Sequence, residues 1–198
     1  MVERERVAEL HYITPISNLA SIGTHGLLSH RAAEAVDHLS VALPEVQDRR
    51  ARKVVPNGGP LHSYANLYFD ARNPMMYYLT RNGHDDLLVM RVAPNVLDIQ
   101  GAVVTDGNAA ADTTRFLASP SGLSFLEAEL VYSDNWNHSD YWQKIEQKRV
   151  RCAEVLVPNS VLPNCIIGCY TSNNEHAEIC KAAQPHWKVE VNKHVYFR

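Results

Sequence analysis

Three residues have side chains and sequence surroundings that suit catalysis or ligand binding. Glu154 lies inside the otherwise apolar segment CAEVLV, where a carboxylate either faces outward by simple alternation or meets a substrate hydroxyl or a developing cation. Arg50 belongs to the basic run DRRARKV beside the turn-rich loop VPNGGP, and it suits either a diphosphate or solvent. His11 stands in the segment HYIT, where a histidine is more often a core or rim residue. Each signal is weak alone, so their order along the chain matters more.

Basic residues gather in two places, DRRARKV and QKIEQKRVR. The whole chain carries 19 Lys and Arg against 22 Asp and Glu, a net charge of −3, which excludes a protein that binds nucleic acid by being basic all over. A local basic groove is still allowed. The alternative for each run is the solvated face of a helix.

Four cysteines lie in the last quarter of the chain. The spacing of Cys165 and Cys169, with His176 and Cys180 nearby, could be read as a zinc site, but NCIIGCY has the apolar content of a buried strand. We therefore predict neither a metal site nor disulfides.

Short elements of both types must position these residues. Thr14 followed by Pro15 predicts the cap and first residue of a helix that Gly26 ends, and Asn73 followed by Pro74 repeats that signal. The predicted strands cover 10–13, 67–69, 86–92, 153–157 and 164–170, with a terminal pair near 187–197. The other predicted helices cover 44–53, 139–151 and 173–183. Strands and helices seldom alternate regularly, which favours an α+β fold over a doubly wound parallel sheet.

The stretch 101–124 is irregular and rich in Gly, Ala, Asp, Thr and Ser. Such a stretch in a compact domain is often a functional loop, and here it offers Asn108, Thr113, Thr114 and Arg115 as residues that could read target bases. The alternative is a disordered surface loop.

The length of 198 residues predicts one domain over 1–198, and 45% hydrophobic with 21% charged residues predicts an ordinary globule. No apolar run approaches the ~18 residues of a membrane span, and MVERERVAEL lacks the apolar region of a signal peptide. We expect a cytoplasmic monomer with no membrane partner.

The longest distinctive segments are HYITPISNLASIGTHGLLS, DRRARKVVPNGGPLHSYANLYFDARNPMMYYL and KRVRCAEVLVPNSVLP. Together they resemble DarT, the DNA ADP-ribosyltransferase toxins of DarT–DarG toxin-antitoxin systems. The resemblance runs from about residue 10 to the C-terminus, and LHSYxxLYFxARNPMxY is its most specific part. It implies an ADP-ribosyltransferase-like split β-sheet core with flanking helices. It also implies that NAD is the substrate that donates ADP-ribose to a base, typically thymine, in single-stranded DNA.

The resemblance also implies roles for residues and a partner. Glu154 and Arg50 are the expected catalytic residues, and a separate macrodomain protein is the expected antitoxin. The expected NAD-binding residues are His11, Thr14, Gly26, Leu28, Arg50 and Tyr68. The resemblance places Met75 near the base. From their charge alone, Arg91, Arg115, Lys148 and Arg149 are further candidates for binding DNA.

The residue types suit this chemistry. A carboxylate that hydrogen-bonds the ribose hydroxyls stabilises the positive charge left when nicotinamide departs, and arginine is a permanent cation for the diphosphate. Three alternatives remain open: transfer to guanine, RNA or protein; a non-catalytic module that binds single strands; and a structural protein. A pure binder has no physical need for a carboxylate among phosphate ligands, and a structural protein explains none of these placements.

Overall fold

Eight strands form one mixed sheet in the computed structural model, which describes residues 1–198. Their order is β10-β9-β4-β1-β3-β7-β5-β6, and β2 pairs with β8 in a separate small sheet. The strands are β1 Leu10–Pro15, β2 Leu27–Leu28, β3 Tyr64–Tyr68, β4 Leu87–Val92, β5 Val103–Thr105, β6 Phe116–Ala118, β7 Glu154–Pro158, β8 Ser160–Val161, β9 Ile166–Thr171 and β10 Lys188–Val191. The helices are α1 Leu19–His25, α2 His30–Ala33, α3 Pro44–Ala51, α4 Pro74–Arg81, α5 Ala128–Val131, α6 Tyr141–Val150 and α7 Asn174–Ala183.

The sheet is split in its middle. β1 pairs with β4 along its whole length, and β3 pairs with β7 along its whole length. β1 and β3 themselves meet at one pair only, His11 opposite Tyr68. The two halves of the sheet therefore separate beyond this pair, which leaves room for a cleft between β1 and β3.

Both faces of the sheet are buried. One face carries Leu10, Leu67 and Met90 into the larger hydrophobic core, and the other carries Ile13 and Val89 into a second core. This explains why β4 and β7 are nearly continuous apolar runs, since a strand covered on both faces needs no polar alternation.

The structure corrects the predicted start of the first helix. Thr14 does not cap a helix: it pairs with Leu88 inside the sheet, and its Oγ1 accepts a hydrogen bond from Asn18 Nδ2 at 3.0 Å. Pro15 ends β1, a 3₁₀ turn follows over Ile16–Asn18, and α1 begins only at Leu19. The local sequence favoured a cap, but pairing with β4 decided the conformation of Thr14.

The prediction that 101–124 is irregular was only partly right, and its alternative of a disordered surface loop was wrong. β5 and β6 lie in this stretch, and Val104 and Thr105 are fully buried. β5 pairs with β7, so the stretch extends the main sheet. Strands of three residues are too short to show a period in the sequence.

The predicted terminal pair of strands was wrong in number. β10 is a single strand that runs parallel to β9. The chain then turns back so that Tyr196 is buried and its hydroxyl donates to the carbonyl of Tyr170 at 2.7 Å. The apolar residues of this buried turn, such as Tyr196, resemble a strand in the sequence, which explains the wrong prediction.

The remaining predicted helices are confirmed within a few residues. α4 begins as expected: the side chain of Asn73 accepts a hydrogen bond from the backbone N–H of Met76 at 3.0 Å, and Pro74 occupies the first turn. None of the seven helices has the length and apolar content needed to cross a membrane.

Candidate active site

Three sequence-predicted residues form one row across the centre of the sheet. His11 on β1 lies opposite Tyr68 on β3, and Tyr68 lies opposite Glu154 on β7. Directly opposed residues of antiparallel strands point to the same face, so the three side chains share one face at the place where the sheet splits.

Glu154 is fully buried and lies 3.0 Å from Arg50 as an ion pair. Arg50 Nη1 donates to both of its carboxylate oxygens, at 3.0 and 3.1 Å, and the backbone N–H of Ala109 donates to Oε1 at 2.9 Å. The backbone N–H of Glu154 donates to Thr105 Oγ1 at 2.9 Å. The bonds from Arg50 and Ala109 fix the carboxylate in one orientation and compensate for much of the cost of burying it.

A cavity of about 570 Å³ opens where β1 and β3 separate. β1 contributes Tyr12 and Thr14 to its wall, and β3 contributes Asn66 and Tyr68. Arg50 also lines the cavity, whereas Glu154 does not. Arg50 therefore links the wall of the cavity to the buried carboxylate of Glu154.

Most of the predicted site residues converge on this cavity. The lining includes Thr14, Gly26, Leu28, Arg50, Tyr68, Met75, Lys148 and Arg149. The structure does not bring His11, Arg91 or Arg115 to it.

The cavity suits a dinucleotide substrate such as NAD. Its volume lies within the range of about 300–1,000 Å³ typical of small-molecule sites, and apolar walls are combined with a few polar groups. One of these polar groups, His62 Nε2, is buried and has no hydrogen-bond partner. Arg50 supplies a cation that stays charged, which a diphosphate requires.

Tyr68 presents its ring to the cavity and its hydroxyl to Met75. The hydroxyl donates to Met75 Sδ at 3.1 Å. Burial, together with the nearby negative charge of Glu154, raises the pKa of Tyr68 well above its ordinary value. Tyr68 is therefore a neutral aromatic surface against which a flat ring can stack. Burial also raises the pKa of Cys152 to about 12, so this cavity-lining thiol is not a nucleophile at neutral pH.

Gly26 and Leu28 reach the cavity through the link between α1 and the small sheet. Gly26 has φ +78°, and a Cβ on it would lie 2.0 Å from the carbonyl oxygen of Val161. Leu28 pairs with Ser160 in the small sheet formed by β2 and β8. The backbone geometry, rather than a ligand, thus accounts for glycine at position 26.

His11 belongs to a polar cluster outside the cavity. His11 Nε2 and Glu9 Oε1 are 3.0 Å apart, and Glu9 also accepts from Tyr170 at 2.7 Å and Arg91 at 2.8 Å. Although burial opposes it, hydrogen bonding by these three groups lowers the pKa of Glu9 to about 2. Arg91 also pairs with Glu190 at 2.6 Å. The charge of Arg91 is therefore already matched by two carboxylates.

Arg149 and Arg115 share one carboxylate partner, Asp106. Arg149 lies 2.9 Å and Arg115 lies 2.6 Å from it, and Arg149 also pairs with Glu146. Opposing its burial, hydrogen bonds from Arg115 and Arg149 lower the pKa of Asp106. Lys148 is exposed, and the lysines that form ion pairs are Lys53 and Lys181. Lys148 is thus a free cation at the cavity.

Several cavity residues were missed by sequence reasoning. Asn18 is nearly buried, and its side chain bonds both Thr14 Oγ1 and the carbonyl of Leu39. The ring of His62 packs against that of His30 with centroids 4.1 Å apart and planes tilted by 35°. Asn66 is a polar residue between apolar ones in YANLY, which is a usable signal. The other two depend on contacts distant in the chain and have no local signal.

Comparison with known proteins places this arrangement in a family. The model of the family "ssDNA thymidine ADP-ribosyltransferase, DarT" matches residues 11–197. A DNA ADP-ribosyl transferase–DNA ADP-ribosyl glycohydrolase fusion protein of Thermosipho africanus is 34% identical over 186 residues, which is 90% of this chain and 46% of that protein. A DNA ADP-ribosyl transferase of Thermus sp. is 30% identical over 138 residues, 64% of this chain and 66% of that protein. The chain therefore spans about half the length of the first relative and two thirds of the second.

A solved structure shares the fold. The structure of Thermus sp. 2.9 DarT in complex with ADP-ribosylated ssDNA superimposes with a TM-score of 0.83 at 25% identity, covering 96% of both chains. This confirms the expected ADP-ribosyltransferase-like fold, whose split is the single His11–Tyr68 pairing. On the match of its sequence over nearly its whole length and on this shared fold, the chain belongs to the DarT family of ssDNA thymidine ADP-ribosyltransferases.

Proposed function

We propose that this protein transfers ADP-ribose from NAD to thymine bases of single-stranded DNA. The observation that carries the proposal is the buried carboxylate of Glu154, which is bound by Arg50, a residue that lines the cavity at the split of the sheet. Family membership and the names of the relatives, which describe DNA ADP-ribosyl transferases, support the same reaction.

When bound, NAD supplies the ADP-ribosyl group, and loss of nicotinamide leaves positive charge on the ribose. Glu154 stabilises that charge by accepting hydrogen bonds from the ribose, which helps the transition state more than the ground state. Arg50 serves both as the partner of Glu154 and as the cation for the diphosphate. Because Glu154 is fully buried and does not line the cavity, side chains in the cavity wall must shift for a ribose hydroxyl to reach the carboxylate.

The cavity also offers what a single-stranded base requires. Met75 and Tyr78 on α4 provide an apolar and an aromatic part of the wall, and Arg49 and Lys148 also line the cavity as cations for phosphates. Stacking on aromatic side chains and pairing of cations with the backbone are the usual means of holding single strands, whose bases need not be extracted from a duplex.

The proposal includes a partner enzyme that removes ADP-ribose from the modified DNA. The Thermosipho africanus relative joins a DNA ADP-ribosyl glycohydrolase to the transferase in one protein. We infer that this chain acts as a toxin whose effect is reversed by such a macrodomain enzyme, that it does so as a monomer, and that it acts in the cytoplasm on replicating DNA.

Mass spectrometry of short oligonucleotides incubated with the protein and NAD tests the reaction. Strands with thymine should gain the mass of one ADP-ribose, and otherwise identical strands without thymine should not. Glu154→Gln should abolish the gain, whereas Glu129→Gln, which alters an exposed glutamate, should leave it unchanged.

The other outcomes select the alternatives. A mass gain on strands without thymine would move the target to another base, and a gain on RNA or protein alone would change the class of acceptor. If no molecule gains mass and NAD stays intact while oligonucleotides still bind, the chain is a non-catalytic module that binds single strands.

A further inference from the structure

The helix α6 carries an exposed apolar surface that the reaction at Glu154 does not use. Tyr141 is 65% exposed, Trp142 is 74% exposed and Ile145 is 43% exposed, and the rings of Tyr141 and Trp142 lie 5.4 Å apart. These three residues are called the α6 platform. Large apolar side chains left in water next to one another usually mark an interaction surface.

The α6 platform is continuous with the cavity. Ile145, Lys148 and Arg149 line the cavity, and Trp142 lies three residues before Ile145 and seven before Arg149. Residues with these spacings share one face of a helix. At 1.5 Å per residue, Trp142 lies about 10 Å along the helix axis from Arg149, so the α6 platform continues outward from the cavity mouth.

The charges around the α6 platform point to a nucleic acid rather than to a protein. Lys144 and Lys148 stand on the same helix, and neither forms an ion pair. Of the nearby acidic residues, Glu146 pairs with Arg149 at 2.6 Å, and Asp140, directly before Tyr141, accepts the N-cap hydrogen bond from the backbone N–H of Gln143. Lysines are depleted in protein interfaces, whereas exposed aromatic rings flanked by free cations are the combination that holds single strands.

We propose that the α6 platform binds the nucleotides that flank the target base, with one base stacked on Trp142 and neighbouring phosphates on Lys144 and Lys148. This inference rests on the proposed function because it assumes a single-stranded substrate in the cavity. It adds a second contact region outside the cavity, so a strand long enough to reach Trp142 binds more tightly than a strand that fills the cavity alone.

Binding measured without NAD tests the inference separately from catalysis. Fluorescence anisotropy gives the Kd of a labelled thymine-containing trinucleotide, a 12-nucleotide strand and the matching duplex. Trp142→Ala should raise the Kd of the 12-nucleotide strand about tenfold, since stacking of one base is worth that order of affinity. The Kd of the trinucleotide and of the duplex, whose bases are already stacked, should stay unchanged.

Two further variants exclude general effects of substitution. Phe125→Ala removes another exposed aromatic ring, 59% exposed and outside the cavity lining, and should leave all three Kd values unchanged. Trp142→Phe keeps an aromatic face and should restore most of the affinity for the 12-nucleotide strand. Saturating strand should also quench the tryptophan fluorescence of the wild type more than that of Trp142→Phe.

An unchanged Kd for the 12-nucleotide strand in Trp142→Ala, with equal quenching in Trp142→Phe, would overturn the inference. A dimer of the wild type that Trp142→Ala converts to monomer in sedimentation would assign the α6 platform to self-association instead. Failure of ADP-ribose transfer with the length-dependent binding intact would reject the proposed reaction and leave this inference standing.

Discussion

Glu154 and Arg50 bury opposite charges against each other, so each depends on the other for its stability. Taking one charge away leaves the other buried and unpaired, which is far more costly than removing both. The same pair carries the proposed chemistry. Stability and activity should therefore respond differently when the pair is removed one residue at a time and then together.

We expect Glu154→Gln and Arg50→Gln each to lower the free energy of unfolding by about 3 kcal/mol. The double variant should lose less than the sum of the two, because no unpaired charge remains, yet it should transfer no ADP-ribose. Urea unfolding and the oligonucleotide assay provide the two measurements. Additive losses of stability would show that the two charges do not depend on each other.

The ionisation of Glu9 makes the free energy of unfolding depend on pH at acidic values. Burial by itself would raise the pKa of Glu9. Hydrogen bonding to His11, Tyr170 and Arg91 outweighs burial and lowers this pKa to about 2 in the folded protein. A lowered pKa means that the stabilisation is complete above the ordinary value near 4.5 and is lost as the pH falls toward 2.

We therefore expect Glu9→Gln to be less stable than the wild type by about 3 kcal/mol at pH 6, with the difference shrinking as the pH falls from about 4.5 to 2. Thermal or urea unfolding across this range measures it. The matched control is Glu190→Gln, which alters the more exposed carboxylate that pairs with Arg91. A difference that is constant with pH would contradict the assignment.

Among single residues, the sequence drew attention to residues that the sheet places side by side, but it did not reveal the partners of their side chains. The resemblance pointed to His11, Tyr68 and Glu154, which the sheet sets in one row. It did not predict that His11 and Arg91 both contact Glu9. Arg91 is 82 residues from Glu9 in the chain, and their contact depends on the register of β1 against β4. Ion pairs between distant residues have no local signal.

Among the elements, the link between α1 and β2 sets one wall of the cavity. Gly26 holds φ +78° there, and its close approach to the carbonyl of Val161 leaves no space for a side chain. Gly59 offers a matched contrast, since a Cβ on it would touch nothing within 4 Å. The two glycines differ in the steric demand at each position, although both stand in loops.

Gly26→Ala should lower the free energy of unfolding by at least about 2 kcal/mol, because it combines a left-handed backbone with a clash against main chain. Gly59→Ala should be neutral or stabilising by less than about 1 kcal/mol. Differential scanning calorimetry on both variants checks this. Equal effects of the two substitutions would show that the backbone at Gly26 adapts freely.

Prediction of elements worked where a cap or a long apolar period was present and failed where pairing in the sheet decided the outcome. Asn73 and Pro74 begin α4 as predicted because the cap bond to Met76 is local. Thr14 and Pro15 carry the same pair of residue types, yet Thr14 is held in β1 by β4. Likewise, β5 is stabilised by pairing with β7, and a strand of three residues carries no sequence pattern that would predict this pairing.

For the whole molecule, a net charge of −3 means that the proposed DNA binding has to come from a few grouped cations. Arg49 and Lys148 line the cavity and form no ion pair, whereas Arg91, Arg115 and Arg149 are bound to carboxylates. The basic runs of the sequence predicted a local groove, but only the fold separates the free cations from the neutralised ones.

The salt dependence of DNA binding should report these free cations. For single strands, log K falls with log salt by about 0.7 for each phosphate contact, so Arg49→Gln combined with Lys148→Gln should reduce the slope by about 1.4. Lys188→Gln combined with Lys193→Gln removes the same charge from exposed positions outside the cavity lining and should leave the slope unchanged. Anisotropy titrations of a 12-nucleotide strand at several salt concentrations measure both. Equal reductions in the two double variants would mean that binding depends on total charge, and the grouping of cations at the cavity would then have no role in holding the strand.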